Sequence, residues 1–253
     1  MQLLRSLIFT TLLFVLTLCY AIVVLGLGWV PVHRLYRIAA HWSRLQMWLL
    51  EKLCGLRYVV TGLENVPPGA HVSMWKHSSA WETIAQASIL PPQAWVLKRE
   101  LMWIPVVGWA MRWLKPIAID RKAGAAAVNQ VVEQGRQRLA EGLWILIFPE
   151  GTRVAPGETR KYGISGALLA SKAGCKIVPV AHDAGHYWPR RGWIKRPGTI
   201  HVAIGPPIEA AGRDPRELNE EVRQWIEAQL AAMPTARAAA RQPEPLAPQT
   251  SPR

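Results

Sequence analysis

The chain has 253 residues, half of them hydrophobic, and 30 Lys and Arg against 17 Asp and Glu give it a formal net charge of +13. That length builds one large domain, or a domain with a membrane element, and the charge calls for an acidic partner such as nucleic acid, anionic lipid or a phosphorylated substrate. The 13 Trp against 3 Phe favour lipid, because Trp collects at wet apolar interfaces, and the scattered Cys19, Cys54 and Cys175 exclude a disulfide framework and suit packing in a reducing compartment.

Leu7 to Val30 is almost wholly apolar, and Ser6 to His33 carries no formal charge. At about 1.5 Å per residue this stretch is long enough to cross a bilayer core. A cleaved signal peptide would have a shorter apolar region followed by a small-x-small site, so a retained anchor is expected. Arg5 precedes the stretch, whereas Arg34, Arg37, Arg44 and Lys52 follow it. That bias places the bulk of the chain in the cytoplasm. Thr10, Thr11, Thr17, Gly26 and Gly28 leave a kinked or re-entrant insertion open beside a straight span. In Pro31 to Leu56, the residues Leu35, Ile38, Trp42, Leu45, Leu49 and Leu53 recur at helical spacing, with Arg34, Arg37, His41 and Arg44 on another face. Such a helix suits an anionic membrane surface or the core of the domain that follows.

From Arg57 the pattern changes to short apolar runs between turn signals. Tyr58 to Val60 and Val72 to Trp75 read as strands, joined through Asn65-Val66-Pro67-Pro68-Gly69. A helix is expected from about Ala80 to Ile89, stopped by Pro91-Pro92. Ala94 to Leu97 is a strand, and Leu101 to Leu114, with Trp103, Trp109 and Trp113, is apolar nearly all round. The pattern predicts that stretch as core, although its Trp and Met would also suit contact with acyl chains. Strands at 116–119, 143–148, 177–181 and 199–204 alternate with helices at 125–140, 163–173 and 214–233. Pro179 marks its strand as irregular or at an edge. The alternation predicts an α/β domain with a mainly parallel sheet flanked by helices. Three regions are therefore expected: a membrane anchor with an amphipathic helix over 1–54, the α/β domain over 55–233, and a tail over 234–253 too poor in large apolar residues to fold.

The residues that can do chemistry share a position. His77, Lys98, Asp120-Arg121 and Glu150-Gly151-Thr152-Arg153 each follow the end of a predicted strand, the edge where open α/β sheets bind ligands. His77 is the side chain best suited to move a proton near neutral pH, and a carboxylate can hold its tautomer. Glu82 lies five positions on, and residues five apart on one helix sit roughly 140° around the axis. The pair can meet only with His77 in the loop and Glu82 on the first helical turn. Ser79-Ala80-Trp81-Glu82 also reads as a capping box. Arg121 and Lys122 at a helix start oppose its dipole unless an anion lies between them. Gly151 and Thr152 offer close backbone approach and a hydroxyl, while Arg153, Arg160 and Lys161 could grip a phosphate or form a solvated basic face. His182, Asp183 and His186 lack a further ligand group, so no metal is assigned. There is no phosphate loop, no G-x-G-x-x-G, no H-E-x-x-H, and Gly163-Ile164-Ser165-Gly166 falls short of a serine-hydrolase elbow.

Taken together, four blocks in order resemble the bacterial 1-acyl-sn-glycerol-3-phosphate acyltransferases, within the glycerolipid acyltransferases. They are His77-Ser78-Ser79-Ala80-Trp81-Glu82, Ile117 to Arg121, Phe148-Pro149-Glu150-Gly151-Thr152-Arg153 and Ile177 to Ala181. One position departs from the family: its first block ends in aspartate, and this chain has Glu82. The resemblance implies acyl transfer from acyl-CoA or acyl carrier protein to the 2-hydroxyl of lysophosphatidic acid, giving phosphatidic acid. It implies His77 as general base, Glu82 as its partner, and Arg121, Glu150, Gly151, Thr152 and Arg153, helped by Lys98, around the substrate phosphate. Pro179, Trp103 and Trp109 would be structural or line the acyl chain. No metal or bound cofactor is expected, nor a nucleic-acid partner, and the site would face the cytoplasm at a bacterial inner membrane. The alternatives are another lyso-lipid acceptor for the same chemistry, or a non-catalytic basic protein of the membrane surface.

Overall fold

Runs rich in Val, Ile and Trp become the strands of one mixed sheet in the computed structural model, which describes residues 1–236. The strands are β1 (Leu56–Thr61), β2 (Val72–Trp75), β3 (Gln93–Lys98), β4 (Ile117–Ile119), β5 (Trp144–Ile147), β6 (Lys176–His182), β7 (Gly198–Ile204) and β8 (Ile208–Glu209). They lie in the order β1-β7-β6-β2-β5-β3-β4, with β8 paired to β6. From β6 to β4 all neighbours are parallel. β7 runs antiparallel to β6 and carries β1 parallel to itself.

The central strands are apolar on both faces because helices cover both. On one face Trp75, Trp144, Leu146, Val178 and Val180 pack with α2 (Val32–Cys54) and α3 (Trp81–Ile89). On the other, Val72, Met74, Ile145, Ile147 and Ile177 meet α5 (Ala125–Ala140), α6 (Ser165–Ala173) and α8 (Pro215–Ala232). The alternation follows the period of two in a strand. Each such side chain stabilises the fold by about 1.5–3 kcal/mol when fully buried. Helix ends obey local chemistry. Asp214 caps α8 by accepting from the Arg216 amide at 2.6 Å, and Pro215 occupies the first turn. Gly55 ends α2 in the left-handed region at φ 68°.

α1 (Gln2–Gly26) is one continuous helix of 25 residues, about 37 Å long. Thr10, Thr11 and Thr17 do not interrupt it, and Gly26 is its last residue. α2 folds back along it: Gln2 Nε2 donates to the Cys54 carbonyl at 3.0 Å, and Tyr20 bonds and stacks on His41. α1 is docked along its length. Phe9 packs edge-on against Trp188, while Ala21 and Val24 meet Ala110 of α4 (Val107–Trp113). α2 is buried through Leu35, Tyr36, Ala39, Ser43, Gln46, Met47 and Leu50. Ser43 even donates to the Ile84 carbonyl at 2.8 Å, so α2 is a core helix of the domain.

Two expectations about elements are corrected. Pro179 is in neither an edge strand nor an irregular one: it is buried in β6, between β2 and β7. It is tolerated there because β8 pairs only with Lys176 and Ile177, and β7 begins pairing at Val180. Its missing N–H falls in the gap, while its carbonyl accepts from Gly205 N at 2.8 Å. The stretch from Leu101 to Leu114 is not core throughout. Pro105 separates a 3-10 turn, Arg99–Trp103, from α4. Trp103, Trp109 and Trp113 are 60%, 47% and 47% exposed, and only Met102, Gly108, Ala110 and Leu114 are buried. Sequence reading missed the short helix α7 (Ala184–Tyr187) and the two-residue β8. Most of the expected tail, residues 237–253, lies outside the described residues; before it, Thr235 donates to Asp183 Oδ2 at 3.0 Å.

Candidate active site

Four neighbouring parallel strands, β2, β5, β3 and β4, end at one edge of the sheet; the loops after them carry His77, Glu150 to Arg153 and Arg121, and Lys98 is the last residue of β3. The sheet thus brings together residues that span 77 sequence positions, from 77 to 153.

His77 lies in the loop after β2 and Glu82 on the first turn of α3, the arrangement the spacing requires. His77 Nδ1 and Glu82 Oε1 are 2.9 Å apart. The same oxygen accepts the Ser78 and Ser79 amides at 2.9 and 2.8 Å. Half of the capping box is therefore present, from Glu82 to Ser79. The Ser79 hydroxyl is diverted, accepting from Trp81 N at 3.1 Å and donating to the Trp188 carbonyl at 2.6 Å. With three donors converging, Oε1 must be an acceptor. His77 Nδ1 then carries the proton, and Nε2 has its lone pair free. One carboxylate oxygen of Glu82 thus serves both the histidine ring and the helix start. Burial raises the Glu82 carboxyl, but the adjacent His182 and His77 imidazoles and the Ser79 N–H outweigh it, leaving it below the ordinary carboxylate range.

Glu150 is the residue whose assignment changes most. It is 3% exposed, and both of its oxygens are occupied. Oε1 binds Lys76 Nζ at 2.5 Å, and Oε2 accepts the His77 backbone N–H at 2.7 Å. A buried carboxylate so engaged repels a phosphate and has no hydrogen-bond donor to offer it. Glu150 instead fixes the loop that bears His77. Burial pushes its carboxyl up, while Lys76 and the His77 amide pull it back. The His77 carbonyl accepts from Val154 N at 2.8 Å, so the loop after β5 holds His77 from both backbone ends. Phe148 stacks on the imidazole at 4.0 Å between ring centres, 16° from parallel.

Cations lie further out. Gly151 adopts φ 68° and turns the loop, and its carbonyl accepts from Arg121 Nη1, which ties the loops after β4 and β5 together. Asp120 accepts from Lys122 N at 2.9 Å and pairs with Arg99 at 3.2 Å, a capping role. Lys98 pairs with Glu100 at 3.0 Å on the surface. Arg153 is half-buried, and its buried Nε has no partner among the described residues. Thr152 follows Gly151 in the same turn.

A cavity of about 330 Å³ opens from these residues. His77, Lys98, Arg121 and Arg153 line one part; Ala21, Val24, Ala39, Ala110, Met111 and Leu114 line another. Its wall is overwhelmingly apolar and comes from α1, α2, β3 and α4. Trp103 and Trp109 do not line it; Trp42 and Trp95 do. Two further residues have no place around His77 and Glu82 in the sequence reading, which weighs His182 only as a metal ligand. Lys76 was legible only as a cation ending an apolar strand. His182, buried at the end of β6, lies 3.8 Å from Glu82 Oε2 and bonds the Lys76 carbonyl at 2.8 Å. Its neighbour Asp183 accepts from His201 N at 2.8 Å. Among the described residues, no three His, Cys, Asp or Glu side chains gather as a metal site.

A histidine held by a carboxylate, cations further out and an apolar cavity thus meet at one edge of the sheet. Residues 57–183 match the family model described as Acyltransferase, and the chain belongs to that family. Over 219 residues it is 43% identical to the 1-acyl-sn-glycerol-3-phosphate acyltransferase of Pseudomonas aeruginosa, covering 85% of each chain. It is 28% identical over 180 residues to 1-acyl-sn-glycerol-3-phosphate acyltransferase alpha of Mus musculus, covering 69% of this chain and 63% of that one. The crystal structure of the 1-acyl-sn-glycerophosphate (LPA) acyltransferase PlsC from Thermotoga maritima shares its fold, with a TM-score of 0.77. That likeness covers 96% of this chain and 98% of the other, at 22% identity.

Proposed function

We propose that the protein transfers a fatty acyl group from a thioester donor, acyl-CoA or acyl carrier protein, to the 2-hydroxyl of 1-acyl-glycerol-3-phosphate, forming phosphatidic acid. The observation that carries this reading is the junction at His77 of a cationic mouth and an apolar cavity. His77 Nε2 takes the hydroxyl proton as the oxygen attacks the thioester carbonyl. The tetrahedral intermediate then collapses, expelling the thiolate, which receives that proton from the imidazolium. Glu82 holds the Nδ1 tautomer and stabilises the imidazolium charge. Arg121 and Arg153, with Lys98 beyond them, pair with the acceptor phosphate; Gly151 and Thr152 shape that pocket. The apolar cavity takes an acyl chain. A thioester is already activated, so the reaction as written needs no metal and no resident cofactor.

We further propose that the protein acts at the inner membrane of a bacterial cell with its site on the cytoplasmic side, as the Arg and Lys that follow α1 suggest. α1 is the one helix among the described residues long and apolar enough to cross a membrane. Both of its ends dock on the domain, and this favours a helix lying in one membrane face over one passing straight through. Its outward face, including Leu4, Phe14, Val15 and Ile22, would meet lipid. Phosphatidic acid formation by the purified full chain from lysophosphatidic acid and acyl-CoA tests the activity. A panel of other lyso-lipids run in parallel tests the head group; equal turnover of a neutral acceptor would overturn it.

A further inference from the structure

The segment between α7 and β7 contains Arg190-Arg191-Gly192-Trp193-Ile194-Lys195-Arg196, and the proposed reaction does not use it. It is tied down at both ends. Lys195 is 2% exposed, deep for a lysine. Its N–H donates to Ser6 Oγ at 3.0 Å, and its carbonyl accepts from Gln2 Nε2 at 2.5 Å. Its ammonium bonds Thr10 Oγ1 and the Ser6 and Trp193 carbonyls, and lies 4.9 Å from the Trp188 ring centre and 5.7 Å from that of Phe9. At the other end the catalytic loop takes part, through Ser79 Oγ to the Trp188 carbonyl.

This clamp holds two large apolar side chains outward. Trp193 is 70% exposed and Ile194 42%, and exposed Arg190, Arg191 and Arg196 flank them. Holding a tryptophan into water on a fixed loop stabilises nothing within the fold. The loop's place in the fold supplies a reason. Its clamp points on α1, Ser6 and Thr10, are the i+3 neighbours of Leu3 and Leu7, which are 49% and 40% exposed and belong to the outward apolar face of α1. The loop therefore borders that face and adds to it the Trp and Arg pairing suited to an interface.

We propose that Arg190 to Arg196 is a docking element for an anionic phospholipid surface, with Trp193 and Ile194 entering the headgroup layer beside α1 and the arginines pairing with lipid phosphates. The inference rests on reading α1 as lying in the membrane face. The test is the partition constant of the full chain onto phosphatidylcholine vesicles with and without phosphatidylglycerol, measured by flotation across a lipid titration. Trp193→Ser combined with Ile194→Ser is expected to lower partitioning onto both vesicles by on the order of tenfold. Arg191→Gln combined with Arg196→Gln is expected to remove on the order of tenfold on the anionic vesicles alone. Trp193→Tyr with Ile194 intact should restore most of the binding, and unchanged unfolding temperatures would separate docking from folding. If the wild type partitions and the substituted chains match it, the loop has no lipid role. If the wild type itself fails to partition, the reading of α1 is what fails.

Discussion

The His77 backbone amide donates to Glu150 Oε2 at 2.7 Å, while the His77 ring is held by a different carboxylate, Glu82, at 2.9 Å. One acid thus fixes where the base stands and the other fixes how its ring is protonated. Glu150 in turn is neutralised by Lys76, so the positioning acid adds little net charge beside the cationic mouth. Substitutions at the two acids should separate the two jobs.

Replacing His77 by Ala is expected to lower kcat by ~10²–10⁴-fold, the usual contribution of a general base. Secondary structure and unfolding temperature should stay near the wild type, since the ring packs on Phe148 at the cavity wall. Steady-state acyl transfer followed by thiol release measures this; retention of most turnover would rule out the base assignment.

Glu82→Gln keeps an oxygen for the Ser78 and Ser79 amides but removes the charge that stabilises imidazolium. A large fall in kcat with little change in KM for either substrate is the expected result. The same substitution has a signature in stability. Because Glu82 titrates below its ordinary 4.5 in the folded chain, the unfolded chain takes up the proton first as pH falls. Its contribution is full above 4.5 and is lost as pH drops through the folded value. Urea unfolding from about pH 3 to 7 should show a shallower acid limb in Glu82→Gln. Identical acid limbs would mean that Glu82 is not the ionised partner.

Glu150→Gln should act on the fold as well as on rate. It leaves the Lys76 ammonium buried without its counter-charge, which costs about 3–5 kcal/mol. For a chain of this size that lowers Tm by roughly 6–20 °C. At a temperature where the variant is folded, kcat should fall while KM for the phosphorylated acceptor stays unchanged. A selective rise in acceptor KM would return Glu150 to the phosphate site.

Arg153→Ala is expected to raise KM for lysophosphatidic acid by about tenfold to a hundredfold, the loss of one charge-assisted contact, with little effect on KM for acyl-CoA. Equal effects on both would count against a phosphate role.

Ala110 faces the cavity from α4 and is 4% exposed. Ala110→Phe should fill part of that space at a cost of about 1–3 kcal/mol, and move the preferred donor to shorter acyl chains. Competition among acyl-CoA chain lengths would reveal the shift; a uniform loss at every length would place the chain elsewhere.

Much of this was legible along the chain because the signals are local. Short apolar runs between turn residues marked the strands, and the five-residue interval from His77 to Glu82 allowed contact only across a loop–helix junction, where the structure places it. The alternation of strands and helices also implied the shared strand-end edge that gathers His77, Lys98, Arg121 and Glu150 to Arg153.

Other features depend on which strands and loops become neighbours. Glu150 reads as one more polar residue beside a phosphate-binding Gly-Thr-Arg run until β5 is placed beside β2, which puts Lys76 and the His77 amide within its reach. Pro179 reads as an edge signal until β7 and β8 are seen to leave a gap opposite it. Trp103 and Trp109 read as core residues or acyl-chain contacts until Pro105 splits their segment and leaves them exposed. Hydrophobicity says that a side chain leaves water but not which surface receives it, and that choice is made only when distant segments pack. By itself, then, the sequence determined the fold class and the meeting of His77 with Glu82 across a loop–helix junction. The tertiary structure decided which acid serves the backbone and which serves the ring, because a carboxylate's role is set by the donors that surround it.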